Sequence, residues 1–418
     1  MTKKILIILD SIDVNDSSGS KANVALIQNL QALGYRLKVV HYTLKEIQLN
    51  GVECVAISER KFNLMYFLSR TQRVLTRLTK ININPFIEGL IGFSFTFLND
   101  TKSIKKAILK ERGFQPDLLL TLSKGGSFRP HYAVLQISEL HNKWMAYVHD
   151  PYPFHCYPRP YDWVEKGAKF KEDFFRQVSE KAMHSAFPSL LLQNWMGSYF
   201  SKFLETGIVI PHQNLEVSTK ENIYLPVFFE KEKFNLFHAG NLMNTRPPLF
   251  LLKAYKQFLE EVPEAKKISK LYLIGNVDFY KDKIIEIQND VPQIYCSFKQ
   301  LPYNLVSEMQ KNSTVNFIIE SKASISPFLP GKFPHCVAAN KPIVLLSPYY
   351  SEVKRLLGKE YPYISEVDDV DRIQKIILKL YKEWIKVKDM RLNRPDLEEY
   401  ISINHLGNIF NKYVFKNE

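Results

Sequence analysis

The sequence predicts an α/β protein made of two doubly wound halves, each a parallel sheet covered by helices on both faces. Three observations lead there. Short, unbroken apolar runs such as residues 3–10 and 117–122 suit strands buried on both sides. Helical segments separate these runs, as crossover connections of a parallel sheet require. The alternation pauses at a polar stretch, residues 212–222, and starts again at Phe234, and 418 residues exceed what one core usually serves.

In the first half, residues 3–10 form the opening strand, and a loop rich in Asp, Ser and Gly follows. A helix over 21–33 is stopped by Gly34, and strands are expected at 37–42, 52–57, 117–122, 144–148 and 190–193. In the second half, strands at 234–238, 271–274, 293–297, 315–319 and 343–346 alternate with helices at 248–261, 305–311, 333–339 and 371–386. Asp368, Asp369 and Asp371 precede the last of these and read as its caps. The expected division is 1–212, 213–396 and a terminal helical segment, 397–418. In doubly wound sheets the ligand lies outside the carboxyl ends of the strands, so the loops there are the first place to look.

Composition narrows the classes. Hydrophobic residues make up 45% and charged residues 24%, which is globular and argues against long disorder. Four cysteines stand far apart without CxxC or His-paired spacing, so neither a zinc site nor a disulfide framework is expected, and a cytoplasmic setting suits them. The first apolar run ends at Asp10 and reads as a strand, not a leader. The later stretch 85–98 is interrupted by Glu88 and falls short of the roughly 20 residues of a spanning helix. The net charge is +13, and ten Lys or Arg against three acids lie between residues 61 and 112. With no nucleic-acid motif present, nucleic acid is not the expected partner.

Four segments carry candidate chemistry. In Pro330-Gly331-Lys332, the glycine leaves room for an anion and Lys332 heads a helix, where amides and dipole favour phosphate. The alternative is a plain loop-to-helix junction. Gly240 lets the chain leave the 234–238 strand tightly, and Arg246 beyond it either grips a diphosphate or is a surface arginine. Gly275 makes a similar, weaker turn. His149 and Asp150 end a buried strand and put titratable groups at the crevice, or else serve as a core histidine and a turn cap. In residues 64–80, at about 100° per residue, Arg70, Arg73, Arg77 and Lys80 share one helix face and leucines with Phe67 the other. That pattern suits a helix on an anionic membrane surface, or one docked on its own core with a solvated basic side. No GxGxxG follows the first strand, and Gly19-Ser20-Lys21 lacks the spacing of a phosphate loop.

Taken in order, these segments resemble the GT-B glycosyltransferases, and within them the retaining family-four group, over nearly the whole chain. The resemblance implies two Rossmann-like doubly wound lobes with an interlobe cleft, and a metal-independent enzyme without cofactor. It would take a nucleotide-diphosphate sugar as donor and a glycan or lipid-linked sugar as acceptor, in cell-surface polysaccharide or glycolipid assembly. Arg246 and Lys332, with Gly331, match the residues that hold the donor diphosphate, and His149 the histidine that touches the donor sugar. The loop at Gly19 would face donor and acceptor. The chain departs from the family at Asn241, where an arginine is usual, and at Pro327 and His335, where a glutamate pair is usual. His335 would bond ribose hydroxyls instead. Two rivals share the architecture: a nucleotide-sugar 2-epimerase and a catalytically inactive binding module. The expected setting is cytoplasmic, at the inner face of the membrane.

Overall fold

The structure, a computed structural model, describes residues 2–111, 113–214 and 223–415. Residues 215–222 of the expected linker, Arg112 of the basic stretch and 416–418 of the terminal segment lie outside the described residues. The chain divides into two compact units. One comprises Met1–Tyr157, Asp162–Leu215 and Ile401–Glu418, the other Pro158–Tyr161 and Glu216–Tyr400.

The first unit is a seven-stranded parallel sheet. Its strands are β1 (Lys4–Leu9), β2 (Arg36–His41), β3 (Glu53–Ala56), β4 (Leu118–Leu122), β5 (Trp144–Tyr147), β6 (His184–Phe187) and β7 (Gly207–Val209), in the order 3-2-1-4-5-6-7. Alternate residues of β1 feed two cores: Leu6 and Ile8 pack with Trp144 and Phe175, while Ile5, Ile7 and Leu9 pack with Met145 and Phe410. This two-sided burial is why the strand is apolar without a break. The crossovers run in opposite directions from β1 and β4, which makes that pair the topological switch point.

The second unit repeats the plan with β8 (Phe234–Ala239), β9 (Ser269–Ile274), β10 (Ile294–Cys296) and β11 (Val315–Ile319). A two-residue strand β12 (Ile325–Ser326), then β13 (Ile343–Leu346), β14 (Tyr350–Ser351) and β15 (Ile364–Ser365) complete it. The main sheet runs 10-9-8-11-13-15, with β12 and β14 as a separate ribbon, so its switch point is β8/β11. The long helix Val370–Lys386 is capped by Asp369, whose side chain accepts from the Arg372 amide.

Two expectations fail. Residues 190–193 are not a strand but the start of the helix Leu190–Tyr199; Ser189 accepts from the Leu192 amide and starts it, and the sheet strand is the less apolar β6 just before. The terminal helix is broken into Pro395–Tyr400 and Ile403–Ile409, because Ser402 caps a new helix in mid-run. The second piece packs on the first unit, with Phe410 against Tyr35 and Gly407 against Leu33.

Candidate functional site

In the second unit, β8 delivers His238 to its carboxyl end, buried, with Nδ1 3.1 Å from the Phe317 carbonyl of β11. A carbonyl only accepts, so Nδ1 carries the proton and Nε2 presents its lone pair. Lys332 Nζ lies 3.4 Å from that lone pair. Burial, with the Lys332 charge beside it, keeps His238 neutral, well below the usual histidine range. Burial and the nearby Arg246 guanidinium push the Lys332 ammonium down to about 7, against the pull of Cys336 and Glu320.

Glycine is required where the chain leaves β8 and β9. Gly240 has φ +148°, and a Cβ there would lie 2.4 Å from Lys332 Nζ. Gly275 has φ +138°, and its Cβ would meet the Gly240 carbonyl at 2.5 Å. The two exits are zipped by Gly240 N–H to the Ile274 carbonyl, 2.8 Å, and Leu242 N–H to the Asn276 carbonyl, 2.9 Å. Gly331 differs: nothing lies within 4 Å of the Cβ it lacks, so the protein's own packing does not demand glycine there.

The helix after Lys332, Phe333–Ala338, has only six residues, and Pro334 in its first turn has no amide hydrogen. The anion-binding expectation for its amides therefore weakens, and Lys332 and Arg246 carry the positive field. Arg246 Nε is buried with no hydrogen-bond partner among the described residues. Neither Arg246 nor Lys332 has a carboxylate within salt-bridge distance among those residues. His335 stands one turn on, its Nδ1 3.0 Å from the Tyr303 hydroxyl.

Glu320, which follows β11, escaped the sequence reading. Its Oε1 accepts from Ser351 Oγ at 3.1 Å, and burial pushes its carboxyl up to about 8, so it is protonated at neutral pH. One acid ending the apolar run Val-Asn-Phe-Ile-Ile is its only signal. His238 had the same kind of signal as His149, a histidine at a strand's carboxyl end.

In the first unit, His149 is held from three sides. Its amide donates to Ser123 Oγ at 3.0 Å, its Nε2 lies 2.7 Å from Asn23 Oδ1, and its Nδ1 lies 3.1 Å from His212 Nε2. Asn23 Nδ2 donates to the Ser123 carbonyl at 3.2 Å, which fixes the amide so that Oδ1 accepts from His149 Nε2–H. Nδ1 then accepts from His212. Burial, reinforced by His212 and His131, holds His149 neutral, well below the histidine range. Asp150, the next residue, is half-buried. Gly19 lies in the first turn of the helix Ser18–Ala32, where its absent Cβ would meet Lys124 Cγ at 3.2 Å.

The carboxyl ends of β1 and β2 open into a cavity of about 620 Å³, within the roughly 300–1,000 Å³ of small-molecule sites. It is lined by five cations and five acids, most of them in pairs. Arg129 bonds Asp10 at 3.0 Å and Asp100 at 2.7 Å, Lys45 bonds Asp13 at 2.8 Å, and Lys124 bonds Asp16 at 2.5 Å. Arg70 bonds Glu59 at 3.3 Å. Arg73 differs: among the described residues its partner is the Thr96 hydroxyl, 3.1 Å away. Two of the four residues read as a membrane ridge thus also line a pocket, while Arg77 and Lys80 are exposed beyond it.

Among the described residues no three His, Cys, Asp or Glu side chains gather as a metal-holding group, and no helix is long and apolar enough to cross a membrane. No family model and no curated protein matches the chain. Solved structures do. Trehalose-6-phosphate synthase OtsA is similar with a TM-score of 0.64 at 13% identity, over 100% of both chains. Anabaena HepE in complex with UDP and glucose gives 0.62 at 11% identity, over 99% of each. An E. coli trehalose-6-phosphate structure bound with UDP-2-fluoro glucose gives 0.61 at 13%, over 100% of both. At such identities the likeness establishes architecture: the chain has the GT-B fold, two Rossmann-like parallel sheets each flanked by helices.

Proposed function

We propose that the protein is a glycosyltransferase, taking a sugar from a nucleotide-diphosphate donor bound at the β8/β11 switch point. One observation carries the reading: Lys332 and Arg246 stand near one another at the carboxyl ends of a Rossmann-like sheet, with no carboxylate within salt-bridge distance of either among the described residues, and Arg246 Nε is buried without a partner among them. Half-buried cationic side chains without a counter-ion, one of them with its Nε buried and unpartnered among the described residues, are costly unless an anion completes them. A diphosphate fits both, the arginine by its fork and the lysine as a point charge. The empty space at Gly331 would admit the phosphates, and His335 would bond the ribose.

The chemical work is electrostatic. As the glycosidic bond breaks, charge grows on the departing diphosphate, and Lys332 and Arg246 stabilise it where other enzymes place a divalent ion. Protonated Glu320 adds a donor rather than a competing charge. The acceptor, a glycan or lipid-linked sugar, belongs to the first unit's cavity, whose paired carboxylates suit hydroxyl groups. His149 and Asp150 would contact the sugar; with both ring nitrogens engaged, His149 would position rather than shuttle protons. Membership of the retaining family-four enzymes, polysaccharide or glycolipid assembly and a cytoplasmic setting complete the reading.

HepE is solved with UDP and glucose, so uridine-diphosphate sugars come first in the test. A nucleotide-sugar panel is screened by thermal shift, and the stabilising donor is incubated with and without candidate acceptors. Binding with nucleotide release only on acceptor addition supports transfer. Donor turnover without acceptor means an epimerase, and binding without turnover an inactive module. No stabilisation by any nucleotide sugar removes the donor site.

A further inference from the structure

The helix Leu64–Thr79 sits on the first unit the wrong way round for an amphipathic helix. It buries a narrow polar stripe, Ser69 and Gln72, where Ser69 Oγ donates to its own Tyr66 carbonyl and Gln72 Nε2 to Asn84 Oδ1 at 2.6 Å. Its attachment to the neighbouring helix Phe95–Lys110 includes Arg73 to Thr96, and Asn63 at its N-cap bonds Asn99 at 2.8 Å. The apolar side that would normally face a core is in solvent: Leu64, Phe67, Leu75 and Leu78 are all exposed, Leu78 by 75%. The exposed run continues through Ile81 to the helix Asn84–Ile91, which shows Phe86 (71%) and Leu90 (61%). Of the 28 large hydrophobic residues exposed among the described residues, ten fall between Phe62 and Ile91. An apolar concentration of this kind marks an interaction surface.

Charge says which. From Lys61 to Ile91 there are five cations and one acid, and that acid, Glu88, is held by Lys171 at 2.8 Å. No exposed carboxylate therefore interrupts the apolar face. Arg70 and Arg77 flank it along the helix, and Lys80 follows at the C-cap. We propose that the surface formed by Leu64–Thr79 and Asn84–Ile91 docks on an anionic lipid bilayer, apolar side chains among the acyl chains and arginines at the phosphate level. A second copy of this chain fits less well, because an isologous contact would set the cations against one another. The helix also carries Arg73, a cation of the first unit's cavity with no carboxylate partner among the described residues. Docking puts that cavity wall beside lipid phosphates, so the acceptor is a lipid-linked headgroup; this last clause rests on the transferase reading, whereas the docking does not.

The experiment is co-sedimentation of the full chain, without nucleotide, with vesicles of phosphatidylcholine alone and of phosphatidylcholine mixed with phosphatidylglycerol. The substitutions lie outside the cavity: Arg77→Glu with Lys80→Glu, and Leu78→Ser with Phe86→Ser. Wild type should pellet with the anionic vesicles at low salt and be released by high salt. The charge pair should weaken binding at least about 25-fold, the equivalent of about 1 kcal/mol for each charge removed, and the apolar pair should abolish it. These residues are exposed, so thermal unfolding and nucleotide binding should stay as in wild type, which keeps the outcome separate from that of the donor site. Wild type that ignores anionic vesicles at low salt, or vesicle binding that survives both pairs, overturns the proposal. So does a wild-type dimer, seen by sedimentation equilibrium, that either pair dissolves: the face then belongs to a second copy.

Discussion

The ammonium of Lys332 lies 2.4 Å from where a β-carbon on residue 240 would be, so the lysine occupies space that exists only because Gly240 has no side chain. A turn glycine and a helix-head lysine, 92 positions apart in the chain, thus form one structural unit. Gly240→Ala should cost about 1–3 kcal/mol, because its positive φ strains a side chain and the lysine must move. Gly275→Ala should behave alike. Gly331→Ala should leave stability unchanged, since the protein's own packing leaves that space empty, yet weaken nucleotide binding if the proposed phosphates enter there. Urea denaturation and calorimetry on the three variants separate these effects.

Lys332→Ala and Arg246→Ala should each weaken nucleotide-diphosphate binding by about 1.5–3 kcal/mol, the range for hydrogen bonds to charged groups. On the proposed reading these side chains take the place of a divalent ion, so EDTA should leave both binding and turnover intact. Activity lost in chelator and restored by magnesium would reassign the phosphate contacts.

Nucleotide affinity should fall as pH rises through about 7, where Lys332 loses its proton in the free protein. Lys332→Arg should remove this dependence, because the guanidinium does not titrate there. Stability moves with opposite signs at two groups. Lys332 is lowered from 10.5, so the folded state holds fewer protons than the unfolded one between about 7 and 10.5, and stability rises with pH in that window. Glu320 is raised from 4.5 to about 8, so the folded state holds more protons between those values, and stability falls as pH rises through them. Glu320→Gln should flatten the fall, as read from denaturation midpoints across pH.

Asn23→Leu should destabilise the first unit by about 1–3 kcal/mol, the cost of leaving a buried donor unmade. The substitution strips His149 Nε2–H of its acceptor and the Ser123 carbonyl of a donor at once. Asn23→Asp restores only the first of these, and should raise the His149 titration midpoint followed by NMR.

The buried strands were legible because a strand covered on both faces can hold little but apolar residues: β11 and β13 have the boundaries expected from their runs alone. Residues 190–193 misled for the same reason, since four apolar residues do not distinguish strand from helix and the deciding signal was the cap, Ser189. At the proposed donor site, Gly240, Arg246 and Lys332 stand out in the sequence as turn and helix-head residues. Glu320 does not, because it is a single residue whose meaning depends on what the fold places beside it; His238 carries the same strand-end signal as His149, but its role depends on the neighbours Phe317 and Lys332. The helix Leu64–Thr79 was readable in its periodicity but not in its orientation: which of three faces docks depends on the partner helix, and the polar stripe won.

The path of the chain has a consequence for synthesis. The first unit is discontinuous, closed by residues from Ile401 onward that return after the whole second unit has been made. During translation the surface around Leu33 and Tyr35 waits for Gly407 and Phe410. At the roughly 5–20 residues per second of ribosomal elongation, the intervening 185 residues of Glu216–Tyr400 leave that patch open for about 10–40 seconds. The second unit has no such debt to later sequence and can fold as it emerges. The nascent first unit is thus the stage most exposed to chaperones and to aggregation, and a ribosome that stalls before codon 401 would release a chain with one finished unit and one unfinished.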